Sequence, residues 1–399
     1  MEPVPAHKTT PYFRRKVFYI PGYDPFPPRR YRELYRKEGA AQAAMQGYRL
    51  ELMPSKGEGY GWGVRGQVEG RSVETDFRML VWADLVRDSM ATGIVATYAQ
   101  LFRTAWAYIG SGALFRLMRL RKGPVIAALY PIALLLLQLA VALGAGAMVW
   151  TWLGLWGLLP GMALVWLILQ GFRRIDRHVF AWYLMHDYAH TAQHGGAYPD
   201  DLAQRMEQFG VTIRQAMEQD WDEVLVIGHS SGAHLAVSIL ADCVRDSVRG
   251  KVSLLTLGHV VPMVSFLPKA KALRADLAVM AKGDIPWVDV TAPGDGCAFA
   301  LCDPVGVSGV ATEGQRWPLI LSAAFTQTLS PPRWKQLRWR FFRLHFQYLC
   351  AFDQLAGKSD DYDYFRITAG PLTLWQRFGA RPPSKSRLTQ SANKDWDAR

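Results

Sequence analysis

The amino-acid sequence predicts an α/β fold: a mostly parallel sheet covered by helices on both faces, with an inserted pair of apolar helices. In the second half of the chain, β-rich runs alternate with helical patterns from residue 223 to residue 290. Near the start, the β-rich run KVFYI (16–20) ends at Pro21-Gly22, which is typical of a buried strand followed by a tight loop. Between these regions, no charged side chain occurs from Gly123 through Phe172.

Hydrophobic periodicity and turn residues predict the other elements in order along the chain. We expect a helix at 29–46, strands at 48–53 and 62–77, and helical structure over 78–115. Gly66 and Gly70 interrupt the second of these strands in hairpin fashion. After the apolar insertion we expect a helix at 173–190, a helix at 199–219, a strand at 223–227, a helix at 233–244, a strand at 252–257, a helix at 268–281 and a strand at 287–290.

The predicted elements divide the chain into two parts of one α/β domain, 1–77 and 199–380, separated by a helical insertion at 78–198. A length of 399 residues suits one enlarged domain, since domains usually contain about 100–200 residues. The tail, 381–399, is polar and has too few apolar residues to form a core, so we expect it to be disordered.

The apolar insertion has room for a transmembrane helical hairpin at about 124–169, because one span needs about 20 apolar residues. We place the two spans at 124–149 and 153–169, with Trp150 and Trp152 near the turn, as at a membrane–water interface. Pro131 and Pro160 are tolerated within membrane helices. Basic residues flank both outer ends, so the positive-inside rule predicts that both ends and the α/β domain face the cytoplasm of an inner membrane. A buried helical pair in a soluble core is the competing interpretation.

The net charge of +12 is concentrated beside the insertion and in residues 333–349. That second stretch has apolar residues at helical spacing, namely Trp334, Leu337, Phe341, Leu344 and Tyr348. Such an amphipathic helix either packs on the core or contacts a membrane. The location of the charge predicts an anionic lipid bilayer as the partner and argues against nucleic acid. Residues 1–16 have no apolar region of the kind found in a cleavable secretory signal.

The pentapeptide Gly228-His229-Ser230-Ser231-Gly232 matches the pattern G-x-S-x-G. It lies directly between an apolar predicted strand and a predicted helix that is rich in small residues. Gly228 and Gly232 lack side chains, which allows the strand and the helix to approach closely around a strained turn. Ser230 would then project at a helix N-terminus, where the helix dipole favours negative charge. The pattern therefore predicts an exposed, nucleophilic serine.

With this motif, VLVIGHSSGAHLA, the early VFYIPGYDP and the β/α order of its second half, the sequence resembles the α/β-hydrolase superfamily, and more loosely its lipase and esterase branches. The resemblance covers residues 16–53 and 220–348. It implies a triad in the order Ser, acid, His, with Ser230 as the nucleophile. Asp295, in a tight loop after the predicted strand 287–290, is the first choice for the acid, and Asp289 and Asp303 are alternatives. His345, the one histidine after Asp295, would be the base.

The same resemblance implies an oxyanion hole made by the backbone N–H groups of Ser231 and Tyr23, with Gly22 permitting the turn. This chemistry needs no cofactor and no metal ion. We expect a membrane-bound serine hydrolase that cleaves a carboxylic ester or thioester, of a lipid because of the apolar insertion. An acyltransferase on the same scaffold and a non-catalytic membrane scaffold protein are the alternatives.

Three histidines, His186, His190 and His194, are spaced four residues apart, with Asp187 beside the first. On one helix they would share a face that could bind a transition metal. However, Gly195-Gly196 would end the helix near His194, and the spacing lacks the carboxylate of a hydrolytic zinc helix. We therefore favour a helix next to the membrane that merely contains histidines.

Overall fold

Eight strands form one mixed sheet in the computed structural model, which describes residues 12–55, 57–90, 93–246, 251–354 and 362–394. In chain order the strands are β1 (Phe13–Ile20), β2 (Arg49–Pro54), β3 (Gly61–Val68), β4 (Arg71–Met79), β5 (Glu223–His229), β6 (Val252–Leu257), β7 (Trp287–Thr291) and β8 (Leu319–Ser322). Their order across the sheet is β2-β3-β4-β1-β5-β6-β7-β8. β2, β3 and β4 pair antiparallel, and every pair from β4 to β8 is parallel.

The predicted α/β fold is confirmed in this general form. β5 and β6 are buried along their whole length, as expected for parallel strands with helices on both faces. The strand predicted at 62–77 is two strands, β3 and β4, joined by a tight turn at Glu69 and Gly70, which both have positive φ. β8 was not predicted, because it is only four residues long.

Seventeen α-helices lie among the described residues. Those before β5 are α1 (Arg29–Gln46), α2 (Ala83–Ser89), α3 (Ile94–Gly110), α4 (Ala113–Leu120), α5 (Lys122–Leu153), α6 (Leu158–Val179), α7 (Ala181–Ala192) and α8 (Asp200–Met217). Those after β5 are α9 (Gly232–Arg245), α10 (Val261–Ser265), α11 (Lys271–Lys282), α12 (Pro304–Val307), α13 (Phe325–Thr328), α14 (Pro331–Leu337), α15 (Phe341–His345), α16 (Tyr364–Ala369) and α17 (Leu374–Phe378).

The apolar insertion forms α5 and α6, which are joined by a 3₁₀ turn at Gly154–Gly157. The two helices lie against each other where Gly146 of α5 meets Gly161 of α6: a Cβ atom on Gly146 would lie 3.1 Å from the Gly161 carbonyl oxygen. The helical stretch Lys122–Asp176 is long and apolar enough to cross a membrane, by length and composition alone. Many of its large apolar side chains are exposed, including Leu137, Leu143, Trp152 and Trp156.

The helix predicted at 173–190 is interrupted, and this part of the prediction is wrong. α6 ends at Val179, Phe180 takes a left-handed conformation with φ +58°, and α7 begins at Ala181. The Asp176 carboxylate stabilises the break by accepting hydrogen bonds from the backbone N–H groups of Trp182 (2.9 Å) and Tyr183 (3.1 Å). Free N–H groups at a helix start need such acceptors.

The single amphipathic helix predicted at 333–349 is also wrong. It is divided into α14, α15 and a 3₁₀ turn at Phe346–Leu349, with Arg340 in a non-helical conformation between α14 and α15. Leu344 and Tyr348 are buried in the core, whereas Trp339 and Phe341 are exposed. One straight helix could not place Leu344 and Tyr348 in the core and also leave Phe341, on the same predicted face, exposed.

The polar tail is ordered where the structure describes it, up to residue 394, so the disorder prediction is wrong there. Leu388 donates a backbone hydrogen bond to Leu301 and accepts one from Asp303. The Asn393 side chain donates to the Ser265 carbonyl oxygen. These bonds join the tail to the segments that follow β6 and β7, contacts that the composition of the tail does not indicate.

Candidate functional site

Ser230 lies at the carboxyl end of β5 in a strained backbone conformation. Its φ is +57°, which is uncommon for a residue with a side chain. Neighbouring glycines make the turn possible: a Cβ on Gly232 would lie 2.2 Å from the Ile20 carbonyl oxygen, and one on Gly228 2.7 Å from the Ala233 Cα. A Cβ on Gly22, in the loop after β1, would lie 2.9 Å from the Ser230 Cβ. The turn therefore holds Ser230 at the ends of two adjacent parallel strands.

Asp295 and His345 are brought together from residues that are 50 apart in the chain. Asp295 lies in the loop after β7 and His345 at the end of α15, and both are buried. The His345 Nδ1 lies 2.7 Å from Asp295 Oδ2. The Tyr348 hydroxyl also donates to Asp295 Oδ2 (3.0 Å), and the Cys297 backbone N–H donates to Oδ1 (2.9 Å). These bonds fix the carboxylate, and the carboxylate in turn orients the imidazole.

The two alternative acids lie elsewhere. Asp289 is inside β7, fully buried, and accepts a hydrogen bond from the Thr256 hydroxyl (2.6 Å). Burial raises the pKa of Asp289 well above its ordinary value. Asp303 caps the short helix α12 by accepting from the backbone N–H groups of Val305 and Gly306. Of the three carboxylates, Asp295 is the one hydrogen-bonded to His345.

His345 lies beside the Ser230 turn, in contact with the residue that precedes the serine. Its ring stacks on the ring of His229 with the centroids 4.9 Å apart, and its carbonyl oxygen accepts from His229 Nε2 (3.1 Å). Burial lowers the pKa of His229 to about 3, so His229 is neutral. Among the described residues, His345 Nε2 has no hydrogen-bond partner. The bond from Ser230 Oγ to this nitrogen is therefore not formed here.

The two backbone N–H groups predicted for an oxyanion hole follow β1 and β5. Over the described part of the chain, neither the Tyr23 nor the Ser231 N–H has a hydrogen-bond acceptor. Ser231 immediately precedes α9, whose N-terminus favours negative charge. The Tyr23 hydroxyl is hydrogen-bonded to Ser89 (2.7 Å), and the Tyr183 hydroxyl donates to the Tyr23 carbonyl oxygen. Asp24 accepts from the Tyr31 hydroxyl (2.7 Å) and takes no part in this arrangement.

Asp187, on α7, is a further charged residue of the site that the sequence did not single out. It lines a small cavity together with Tyr23 and Ser231. Burial raises the pKa of Asp187 to about 7, although the charge of His345 and the nearby Ser231 hydroxyl lower it in part. The only signal in the sequence was its place beside His186, in a histidine pattern for which metal binding was the less favoured interpretation and which did not indicate the serine.

The three histidines of α7 and its C-terminal end do not converge on a metal site. His186 Nδ1 is hydrogen-bonded to the Gln100 side chain (2.8 Å), His190 lines the cavity and His194 is exposed. Burial lowers the pKa values of His186 and His190 to about 4.

Asp295, Cys297 and His345 have possible ligand atoms within 4.8 Å of one another. This group could hold a metal ion by distance alone. Burial raises the pKa of the Cys297 thiol well above its ordinary value, with Asp295 and Asp187 adding to the effect. Since hydrogen bonds already occupy both Asp295 oxygens, the group is better described as a hydrogen-bonded acid–imidazole pair.

Comparison with family models, with curated proteins and with solved structures finds no match. The chemistry of the site therefore rests on its own geometry. A serine on a strained turn, a carboxylate-bound imidazole with one free nitrogen, and two amides without acceptors are the components of acyl transfer through a covalent intermediate. All of them lie at the carboxyl ends of parallel strands, where α/β proteins bind ligands.

Proposed function

We propose that the chain is a membrane-bound serine hydrolase of the α/β-hydrolase type, acting on a carboxylic ester or thioester of a lipid. The observation that carries this proposal is the 2.7 Å bond between His345 Nδ1 and Asp295 Oδ2, next to a serine held at φ +57°. A hydroxyl is a poor nucleophile until a base takes its proton. An imidazole whose other nitrogen is bound to a carboxylate is suited to that task.

In the proposed mechanism, His345 Nε2 takes the proton of Ser230 Oγ while Oγ attacks the acyl carbon. The N–H groups of Tyr23 and Ser231 stabilise the oxyanion, since neither amide has another acceptor among the residues that the structure describes. His345 then protonates the leaving alcohol or thiol, and an acyl-enzyme on Ser230 remains. Asp295 stabilises the imidazolium and holds its orientation throughout.

The membrane part of the proposal is that α5 and α6 form a transmembrane hairpin with the catalytic domain at its base. The start of α5 lies against the Asp295 loop, since a Cβ on Gly123 would be 3.5 Å from the Gly296 Cα. A Cβ on Gly296 would in turn lie 3.3 Å from the ring of Phe341. At the end of α6, the Phe180 and Phe342 rings are 5.0 Å apart. The helix that carries His345 thus packs against the outer ends of both apolar helices.

This arrangement supports a lipid as the substrate. A site at the base of a membrane hairpin would be reached from the bilayer interface. Arg338, Arg340 and Arg343 are exposed beside Trp339 and Phe341, a combination that favours an anionic lipid surface. We therefore expect esters with long acyl chains, presented in a bilayer, to be cleaved in preference to short soluble esters.

The test is labelling of membrane fractions with a fluorophosphonate probe, which reacts with activated serines. The native chain should be labelled, Ser230→Ala should not, and His345→Ala and Asp295→Asn should be labelled much more slowly. Loss of the triad base or acid typically costs about 10⁴-fold or more in rate.

Matched controls are Ser386→Ala, which removes an exposed serine, and Asp289→Asn, which changes a carboxylate away from His345. The Ser386→Ala chain should be labelled like the native chain. Equal labelling of Ser230→Ala and the native chain would contradict the assignment of the nucleophile. No labelling of a well-folded native chain would contradict the hydrolase and would favour a non-catalytic scaffold protein.

A further inference from the structure

A small cavity lies between α7 and the Ser230 turn. Its volume is about 20 Å³, and its lining includes the polar side chains of Tyr23, Asp187, His190, Ser231 and His234. A cavity of this size can hold one water molecule, which requires roughly 10–15 Å³ by the same measure. Water also needs two to four polar partners, so the lining decides whether one would be bound.

The lining of this cavity contains polar atoms that the protein itself does not satisfy. Within the described residues, neither ring nitrogen of His190 has a hydrogen-bond partner. Ser231 is only 4% exposed, and its hydroxyl is close enough to the Asp187 carboxyl group to lower the pKa of that group. Asp187 lies on the same side of α7 as His190, because the two are three residues apart. Buried polar groups are nearly always hydrogen-bonded in proteins, so the two unpaired nitrogens of His190 beside the Asp187 carboxyl group indicate a small polar ligand.

We propose that this cavity binds the acceptor water of deacylation, held by Asp187, His190 and Ser231. The inference rests on the proposed hydrolase function and deepens it by assigning the second substrate. The cavity is lined by Ser231, which directly follows Ser230, and by Tyr23, whose N–H group is the second proposed oxyanion donor. Asp187 is also near enough to His345 for their charges to interact.

In the proposed step, the water oxygen attacks the acyl carbon of the Ser230 ester, and its proton passes to His345 Nε2. The bond between the acyl carbon and Ser230 Oγ then breaks. Oγ takes the proton back from His345, and the carboxylic acid leaves. Asp187 accepts a hydrogen bond from the second O–H of the water, which orients the lone pair toward the acyl carbon.

The size of the cavity favours water over a larger alcohol as the acceptor. Its volume of about 20 Å³ only slightly exceeds the roughly 10–15 Å³ that one water molecule requires. We therefore expect hydrolysis rather than acyl transfer, a choice that the Ser230, His345 and Asp295 side chains alone do not determine.

The test compares two rates of the full-length chain in detergent micelles. Fluorophosphonate labelling reports activation of Ser230 without a deacylation step, and turnover of a p-nitrophenyl ester includes deacylation. Asp187→Asn removes a charge near His345 and should change labelling a little, but it should lower turnover about 10- to 100-fold more than it lowers labelling, the range of a lost hydrogen bond to a charged group. His190→Gln should act in the same direction. Asp200→Asn, an exposed carboxylate at the start of α8, should change neither rate.

Methanol provides the second readout. The native chain should release the free carboxylic acid with little methyl ester, whereas Asp187→Ala, which enlarges the cavity, should form methyl ester. The acceptor site is contradicted if Asp187→Asn lowers labelling and turnover by the same factor, or if the native chain transfers the acyl group to methanol in proportion to its concentration. A native chain that is not labelled at all contradicts the hydrolase itself, and with it the acceptor site.

Discussion

The carboxyl group of Asp187 is buried, and burial disfavours its charged form. Its pKa is raised from 3.8 to about 7, because desolvation outweighs the lowering effects of His345 and Ser231. Between these two values, the folded chain keeps a proton that the unfolded chain releases. The bound proton therefore stabilises the folded chain fully below the unfolded pKa of 3.8. This stabilisation is lost as the pH rises through the folded pKa of about 7. The site therefore retains a residue that weakens the fold at neutral pH, which is typical of functional rather than structural positions.

This property of Asp187 predicts a pH-dependent gain in stability when its charge is removed. Because asparagine does not titrate, Asp187→Asn should raise the unfolding free energy on the order of 1–4 kcal/mol at about pH 8, and by little near pH 4. Thermal unfolding of the native and variant chains at both pH values measures the difference. Asp200→Asn is the exposed control and should give no such gain. An equal change at both pH values would mean that the effect is not due to ionisation of Asp187.

Helix α7 connects the apolar insertion to the site. The Trp182 ring nitrogen donates to the Gln138 side chain of α5 (3.2 Å), and the Tyr183 hydroxyl donates to the Tyr23 carbonyl oxygen. Asp187 and His190 lie one and two turns further along the same helix. The start of α7 thus decides where the cavity-lining side chains lie relative to Ser230.

Asp176 determines that start, so its substitution tests the connection. Asp176→Ala removes the acceptor for two N–H groups of α7 and should lower the unfolding free energy by about 1 kcal/mol, as helix caps do. Displacement of α7 should then slow ester turnover more than fluorophosphonate labelling. Asp176→Asn keeps one acceptor oxygen. Its unfolding free energy and its ratio of turnover to labelling should therefore lie between those of the native chain and those of Asp176→Ala. If Asp176→Ala changes stability but leaves the ratio of the two rates unaltered, α7 does not position the acceptor site.

Across the whole molecule, features that depend on neighbouring residues could be predicted from the sequence. Features that depend on contacts between distant residues mostly could not. The α/β order and the bounds of α1 followed from periodicity, and the Ser230 turn followed from its glycines, because these features depend on neighbours in the chain. Asp295, with Asp289 and Asp303 as alternatives, and His345 were named from the Ser, acid, His order that the resemblance to α/β-hydrolases implies, and their contact depends on the separation of α14 from α15. Asp187 could not be predicted, because it reaches the site only through the break at Phe180. β8 and the contacts of the tail likewise depend on partners far away in the sequence.

The position of α5 and α6 relative to the α/β domain predicts which side of a membrane the domain faces and which side the turn between the two helices faces. α5 has 32 residues and is about 48 Å long, which exceeds the roughly 30 Å hydrocarbon core. Its start and the end of α6 both contact the α/β domain, through Gly296 and Phe342, so the Gly154–Gly157 turn lies at the opposite end of the pair. If the pair crosses the bilayer, the turn and the α/β domain face opposite sides.

Cysteine labelling with a membrane-impermeant maleimide tests this arrangement. The two variants are Leu155→Cys in the turn and Ser386→Cys on the α/β domain, and both positions are exposed. In sealed right-side-out vesicles, Leu155→Cys should be labelled without detergent and Ser386→Cys only after detergent is added, and inverted vesicles should give the reverse. The native chain corrects for its own four thiols. Labelling of both positions from one side would contradict a transmembrane hairpin. Labelling of Leu155→Cys only after detergent, in both kinds of vesicle, would mean that the pair enters the bilayer without crossing it, because the uncharged part of α6 is shorter than that of α5.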